Sequence, residues 1–336
     1  MKNIIITGGS GFIGTNLILF LLKKRYKILN LDKLSNSSNT FLINKKIKNY
    51  SFIKFDLSKI KLSNLNIILK NFKPDYIINL ASETHVDISI EKPKLFMESN
   101  ISSTLNLLIA CTKYDYKKNF KFIHIGTDEV YGHLKLNDKK KFNEKHPMNP
   151  RNPYSASKTG AINFVNSFFN TYNLPSIIIN PSNNFGNFQY PEKFIPKTIL
   201  SILSNKKVQV YGNGKNIRDW IHVGDTVKGI YNVMLQGKSG ETYNVSANNS
   251  ISNLELVKKI FKILKKDLDI IFVQDRPGHD EKYLSSNKKL LKLGWKPKIK
   301  FNKSIEETIK WYTNKDNLKS FKQLNKTYQR LGKKIK

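Results

Sequence analysis

Two short stretches of the chain hold side chains that could do chemistry at each other's side. FIHIGTDEVYG, residues 122–132, carries a mostly apolar run straight into Thr127, Asp128 and Glu129, a hydroxyl followed by two adjacent carboxyl groups. Two carboxyls this close repel as anions, which helps to keep one of them protonated and so separates an acid from a base. In NPYSASK, residues 152–158, Tyr154 and Lys158 stand four apart at the start of a helical stretch. That spacing stacks both side chains on one helix face. An ammonium beside a phenol draws its pKa down from about 10, toward the range of a usable base, and the same lysine can reach a ribose hydroxyl.

A third stretch supplies a place for a dinucleotide. TGGSGFIG, residues 7–14, puts Gly8, Gly11 and Gly14 at GxxGxxG spacing, with Phe12 and Ile13 between them, where a strand gives way to a helix. Absent side chains let the backbone turn sharply and approach a pyrophosphate, and the helix N-terminus adds partial positive charge. Asp32 ends the next apolar run, 18 residues after Gly14. A carboxylate there accepts hydrogen bonds from the adenosine ribose and repels a 2′-phosphate, which favours NAD over NADP. The competing reading of Asp32 is a turn-initiating residue ahead of KLSNSSN.

The elements that must position these groups alternate between short apolar runs and amphipathic stretches, as βα units around a parallel sheet do. Residues 3–7, 27–32, 75–81, 121–126 and 176–180 read as central strands, and residues 12–26 and 97–114 show helical spacing. The order loosens after Pro181, with a helix expected near 195–204, a strand in VQVYGNG and another in GETYNVSANN. The fold class is α/β: a doubly wound parallel Rossmann sheet over 1–182, rejoined by a later strand near 241–246, with a smaller mixed α/β sugar-nucleotide-binding domain mainly in 183–320 and a basic tail at 321–336. Adjacent strand residues point to opposite faces, so Thr127 to Glu129 must lie beyond their strand's end to converge. Capping of the next element is the plainer use of Asp128 and Glu129.

Composition bounds the rest. The 336 residues are 39% hydrophobic, enough for a sizeable core, and no apolar run approaches the ~18 residues of a membrane helix. The chain enters its first strand without a signal-peptide layout, which reads as cytoplasmic. The net charge of +33 invites a nucleic-acid reading, but lysines are spread from Lys2 to Lys336. The clusters NKKIK (44–48), DKKKF (138–142) and the C-terminal RLGKKIK read as solvated loops or ends, which argues against nucleic acid as partner. Cys111 is the only cysteine, so no disulfide is possible, and it reads as core. The six histidines show no metal-ligand spacing, and no metal is expected.

TGGSGFIG, Asp32, NLASETHVD (79–87) and YSASK together resemble the extended short-chain dehydrogenase/reductase family of nucleotide-sugar epimerases, dehydratases and decarboxylases. Within it TDEVYG, NNFGNFQYPEKFIP, NIRDWIHVGD and DRPGHDEKY resemble the dTDP-glucose 4,6-dehydratase branch, from residue 3 to about 312. The resemblance implies oxidation of a hexose at C4, which makes the C5 proton acidic, then loss of water across C5 and C6. It implies Tyr154 and Lys158 at the C4 hydroxyl, Thr127 bonding the developing ketone, Glu129 as the C5 base and Asp128 as the acid for the C6 hydroxyl. The cofactor NAD is implied to touch Gly8, Gly11, Phe12, Ile13, Gly14, Asp32, Lys33, Asp56, Leu57, Leu80, Ala81, Ser99 and Asn184, as well as Tyr154 and Lys158. For dTDP-glucose or a close nucleotide sugar it implies Thr84, Thr127, Asn183, Lys193, Phe194, Gln209, Tyr211, Arg218, Asn253, Arg276 and His279. A homodimer through helices near 100–114 and 154–172 is implied as well, and a place in deoxysugar synthesis such as that of rhamnose.

The chain departs from that branch in places. Asn36, Ser37 and Ser38 replace the usual residues after Asp32, Gly126 stands where a Ser is usual, Ile88 where an Arg is usual, Gln209 for a Pro and Ser250 for an acidic residue. None is a catalytic group, but they bear on which base is recognised, thymine or uracil. The acidic pair speaks against an epimerase or decarboxylase, and a basic Rossmann protein without catalysis would have no reason to keep Thr127, Asp128, Glu129, Tyr154 and Lys158 together.

Overall fold

The computed structural model describes residues 1–43, 45–115 and 119–321. Most of the basic tail, 322–336, and Asn44 of the NKKIK cluster lie outside them. The chain opens with β1 (Asn3–Thr7), α1 (Phe12–Lys23), β2 (Lys27–Asp32), β3 (Tyr50–Lys54), α2 (Leu62–Phe72) and β4 (Tyr76–Asn79). Next come α3 (Val86–Glu91), α4 (Pro93–Phe96), a π-helical turn (Met97–Ser102), α5 (Ser103–Thr112), β5 (Lys121–Ile125), a 3-10 helix (Asp128–Tyr131), α6 (Pro153–Tyr172) and β6 (Ser176–Pro181). The second half holds β7 (Asn183–Phe185), α7 (Phe194–Leu203), β8 (Val208–Tyr211), β9 (Ile217–His222), α8 (Val223–Gln236), β10 (Thr242–Val245) and β11 (Ser250–Ser252). It closes with α9 (Asn253–Leu264), β12 (Ile270–Val273), α10 (Lys288–Leu291), α11 (Phe301–Thr313) and α12 (Lys315–Leu318).

Seven strands form one parallel sheet in the order β10-β6-β5-β4-β1-β2-β3. Its inner strands are apolar on both faces because helices cover both. Ile4 and Ile6 of β1 enter one core layer and Ile5 the opposite one, and Ile78 and Ile77 of β4 divide the same way. These five side chains are fully buried, and each stabilises the fold by about 1.5–3 kcal/mol. The five expected central strands are all present. Sequence reading overlooked β3, an edge strand whose residues are mostly exposed and carry no apolar run.

The chain leaves β3 and returns on the other side of β1 as β4, so the order reverses between β1 and β4. A crevice opens there at the carboxyl ends of the strands, which is where α/β sheets of this kind take ligands. A second layer roofs it: β11-β9-β7, the pair β12-β8, and α7, α9 and α11 around a third core that includes Trp220, Phe185 and Tyr312. β10 is placed beside β6 in the large sheet, with Tyr243 opposite Ile179.

Candidate active site

The crevice is a cleft of about 400 Å³ that runs from the glycine turn to the roof. Gly8, at φ +68°, packs so close to β4's exit that an added Cβ would lie 2.7 Å from Ala81 N, and one at Gly14 would lie 2.5 Å from Gly8 O. Those two glycines are required by packing. Gly11, with only Gly8 O near its Cβ position, faces the cleft and serves as the N-cap of α1 without any side-chain capping bond. The first turn of α1 contains no acidic side chain either. Such a helix end suits a pyrophosphate.

Asp32 is fixed beside that turn. Its Oδ2 accepts from Ser10 N at 2.9 Å, and its Oδ1 accepts from Leu34 N at 2.7 Å and Ser38 Oγ at 3.2 Å. A carboxylate has about four acceptor sites, so one remains for a ribose hydroxyl. Phe12, Ile13, Asp56, Leu57, Leu80 and Ala81 also line this end. Lys33 bridges the mouth, giving 2.9 Å to Ser99 Oγ and 2.8 Å to Glu83 Oε1. Ser99 sits in the π-helical turn, a distortion frequent at functional sites. The donor set and the open glycine therefore fit a dinucleotide.

Beyond β5 the backbone solves the convergence problem. Thr127 is extended, at φ −161°, and caps the 3-10 helix by accepting from Glu129 N at 3.4 Å. Cap and tight helix replace the strand's alternation, and Thr127 and Glu129 both line the cleft. Asp128 does not; it is 2% exposed, behind the wall, and its Oδ2 has no hydrogen-bond partner among the described residues. Burial, then the nearby Glu129 and Asp219, hold its pKa well above the usual carboxyl range, which favours its protonated, acid form. Glu129 is also raised by burial, but Arg276 and Arg218 pull it back.

α6 starts where it must because Asn152 and Ser155 form a capping box with Pro153 in the first turn, a device worth about 1 kcal/mol. This brings Tyr154 to the cleft beside Thr127. Lys158 gives its ammonium to Ile125 O at 2.6 Å. Here the structure departs from expectation. Tyr154's pKa is raised, by burial first and by the carboxyls of Glu129 and Asp128, and Lys158 exerts no resolved lowering. Burial instead lowers Lys158 itself to about 8. A low-dielectric pocket with two carboxyls opposes phenolate formation more strongly than one partly discharged lysine promotes it.

On the roof side, Thr84, Asn183, Asn184, Phe194, Asn253 and His279 line the cleft. Lys193 Nζ gives 2.7 Å to Thr84 O, and Phe194 lies stacked on Trp220. Tyr211 OH donates to Asp87 Oδ2 at 2.6 Å, and Arg276 Nη1 reaches Asp87 Oδ1 at 3.2 Å. Arg218 lies over the Tyr283 ring at 4.4 Å. His279 is held by Asp275 at 2.5 Å and lowered to about 4, chiefly by burial. Gln209 is not brought to the cleft. It shares Tyr211's face of β8 but lies two residues, about 7 Å, up the strand. Sequence reading overlooked Asp87, Glu192 and Tyr283, which all line the cleft. All three lie inside the quoted motifs, so the signal was present but their partners were not.

The family model described as GDP-mannose 4,6 dehydratase matches residues 5–308. The chain belongs to this 4,6-dehydratase family. A relative from Haemophilus influenzae, a dTDP-glucose 4,6-dehydratase, is 39% identical over 336 residues, covering 93% of this chain and 98% of its own. The crystal structure of dTDP-glucose 4,6-dehydratase from Bacillus anthracis in complex with NAD superposes with TM-score 0.85 at 36% identity, over 94% of this chain and 98% of that one. Another such dehydratase, DesIV from Streptomyces venezuelae with NAD bound, gives TM-score 0.88 at 31% identity, over 93% and 97%. Family membership and the two superpositions agree on a Rossmann-type fold.

Proposed function

We propose that the protein is an NAD-dependent dTDP-glucose 4,6-dehydratase, a hydro-lyase that makes the 4-keto-6-deoxy sugar nucleotide and water. The observation that carries this reading is the meeting, in one cleft, of the Asp32-flanked glycine turn, Tyr154 beside Thr127, and Glu129 at β5's exit, with Asp128 buried directly behind the wall. NAD, when bound, accepts a hydride from C4 and returns it at C6, so there is no net oxidation. The uncapped end of α1 holds its pyrophosphate and Asp32 its ribose. Tyr154, once its phenol proton has been lost to solvent, would take the proton of the C4 hydroxyl, a step that burial and the two carboxyls oppose, and Thr127 hydrogen-bonds the ketone oxygen. With that ketone formed, the C5 proton is acidic enough for a carboxylate. Glu129 removes it, and Asp128, whose acid form burial favours, protonates the departing C6 hydroxyl once its side chain turns from behind the wall into the cleft; each such transfer contributes about 10²–10⁴ in rate. Glu129 then returns a proton to C5.

Arg218 and Arg276 suit the diphosphate as forked donors, and Tyr211 offers an aromatic face to the base. The relatives' names favour dTDP-glucose, and UDP-glucose is the second substrate to try. Incubation with each sugar nucleotide, with and without NAD, tests the reading through the alkali-induced absorbance of a 4-keto-6-deoxy product. Turnover of dTDP-glucose is expected; no product from either sugar would overturn the assignment. We further propose a cytoplasmic role in deoxysugar synthesis such as that of rhamnose, since the product is a 6-deoxyhexose. We propose a homodimer too, because Leu95, Met97, Phe164 and Tyr172 are exposed on α4, the π-helical turn and α6, elements that pack against one another. Sedimentation of wild type and Phe164→Lys checks it, with dissociation expected for the variant.

A further inference from the structure

One chain of polar groups leads away from Glu129 and is used by none of the steps above. Glu129 Oε2 lies 3.5 Å from the Tyr283 hydroxyl, which on its other side hydrogen-bonds Asp280 Oδ2. Tyr283 and Asp280 are 1% and 2% exposed. Asp280 Oδ1 accepts no hydrogen bond among the described residues and stands 3.5 Å from Arg151 Nη1. Arg151 is 37% exposed and touches His133 Nδ1 at 2.5 Å, so the chain ends at solvent. The arrangement is held firmly. Tyr283 N donates to Ile217 O at 3.2 Å, Arg218 covers the Tyr283 ring, and Arg218 Nη2 gives 2.9 Å to Asp280 O.

A phenol has a single proton, and here it lies between two carboxyl groups, so it cannot donate to both. Either Tyr283 donates to Asp280 and accepts from a protonated Glu129, or it donates to Glu129 and accepts from a protonated Asp280. These two arrangements differ by one proton moved in two hops. We propose that Tyr283 and Asp280 form a proton relay that exchanges the proton held by Glu129 with solvent at Arg151.

The inference rests on the reading of Glu129 as the C5 base. After that base takes the C5 proton, its O–H bond breaks toward the Tyr283 oxygen as the Tyr283 O–H bond breaks toward Asp280 Oδ2. Glu129 becomes an anion, Tyr283 is neutral again and Asp280 is an acid. Asp280 then passes its proton out on the Arg151 side, the end of the chain nearest solvent. No electrons change hands. Run backward, the same hops recharge Glu129 with a solvent proton, the form that must protonate C5. Because both hops occur together, Tyr283 need not become a phenolate, which its burial disfavours.

The test is a single turnover of unlabelled dTDP-glucose in D2O by wild type, Tyr283→Phe and Asp280→Asn, quenched early, with deuterium at C5 of the product measured by mass spectrometry. The phenylalanine keeps the ring beneath Arg218, and the asparagine keeps the volume of the aspartate. Wild-type product is expected to carry deuterium at C5, and product of either variant to lose most of it and retain the substrate's protium. A packing defect slows turnover without changing which proton returns. Equal deuterium in wild type and both variants overturns the relay, as does wild-type product that retains protium at C5. Absence of wild-type product from either sugar nucleotide would instead bring down the catalytic reading, and the relay with it.

Discussion

Asn180 occupies the space that a side chain at position 126 would need. A Cβ added to Gly126 would lie 2.1 Å from Asn180 Oδ1 and 2.9 Å from Ile162 Cδ1. Asn180 is not free to withdraw, because its amide donates to Tyr131 OH at 3.1 Å and Tyr131 donates to Asn244 Oδ1 at 2.9 Å. The glycine that departs from the resembling branch is thus matched to its surroundings. Gly126→Ser is expected to lower unfolding free energy by about 1–3 kcal/mol, as overpacking does. Adding Asn180→Ala should restore part of it. Urea melts of the three proteins decide the matter, and an unchanged midpoint for the single variant would contradict the packing described.

Removal of the proton-moving groups should cost rate without unfolding the protein. Tyr154→Phe, Glu129→Gln and Asp128→Asn are each expected to lower kcat by about 10²–10⁴. Circular dichroism beside the activity assay separates lost chemistry from lost fold.

The pH profile should carry the signature of the carboxyl pair. Burial raises Glu129 above its ordinary 4.5, and it must be an anion to act as base, so kcat falls as pH drops through that raised value. Asp128 must be protonated to act as acid, and burial with Glu129 beside it raises its pKa well above 3.8, so kcat falls again as pH climbs through that pKa. A plot of log kcat against pH with an acid midpoint at or below 4.5 would be incompatible with this site.

Cofactor choice should follow Asp32. Wild type is expected to be stabilised by NAD, by about 2.7 kcal/mol at one hundred times Kd, and far less by NADP. Asp32→Asn keeps the volume while removing the charge that repels a 2′-phosphate, and should narrow the gap. Thermal shifts with both dinucleotides provide the measurement; equal shifts for wild type would rule out this role.

Asp87 should make the protein acid-sensitive. Burial pushes its carboxyl up, but the bond from Tyr211 and the charge of Arg276 together outweigh burial, and the net value lies below 3.8. A depressed carboxyl stabilises the fold fully above the unfolded pKa, and that contribution is lost as pH falls through the folded one. Asp87→Asn is expected to lower stability at pH 7 and to lose less on going below pH 4 than wild type does, as seen in urea midpoints across pH. Parallel curves for the two proteins would remove Asp87 from the account.

The sequence by itself determined the central strands, the glycine turn with Asp32, and the helix that carries Tyr154 and Lys158. These are local matters: apolar runs, glycine spacing and a capping box are each complete within a few residues. The edge strand β3 was not legible, because an exposed strand has no apolar run to announce it. What only the tertiary structure decided are the pairings across long separations. Tyr211 rests on Asp87, 124 residues away, and Glu129 meets Tyr283, 154 residues away. The same holds for charge state. Spacing alone set Lys158 to activate Tyr154, but a pKa depends on how much water is excluded and which charges face inward, and in the folded cleft burial and two carboxyls prevail.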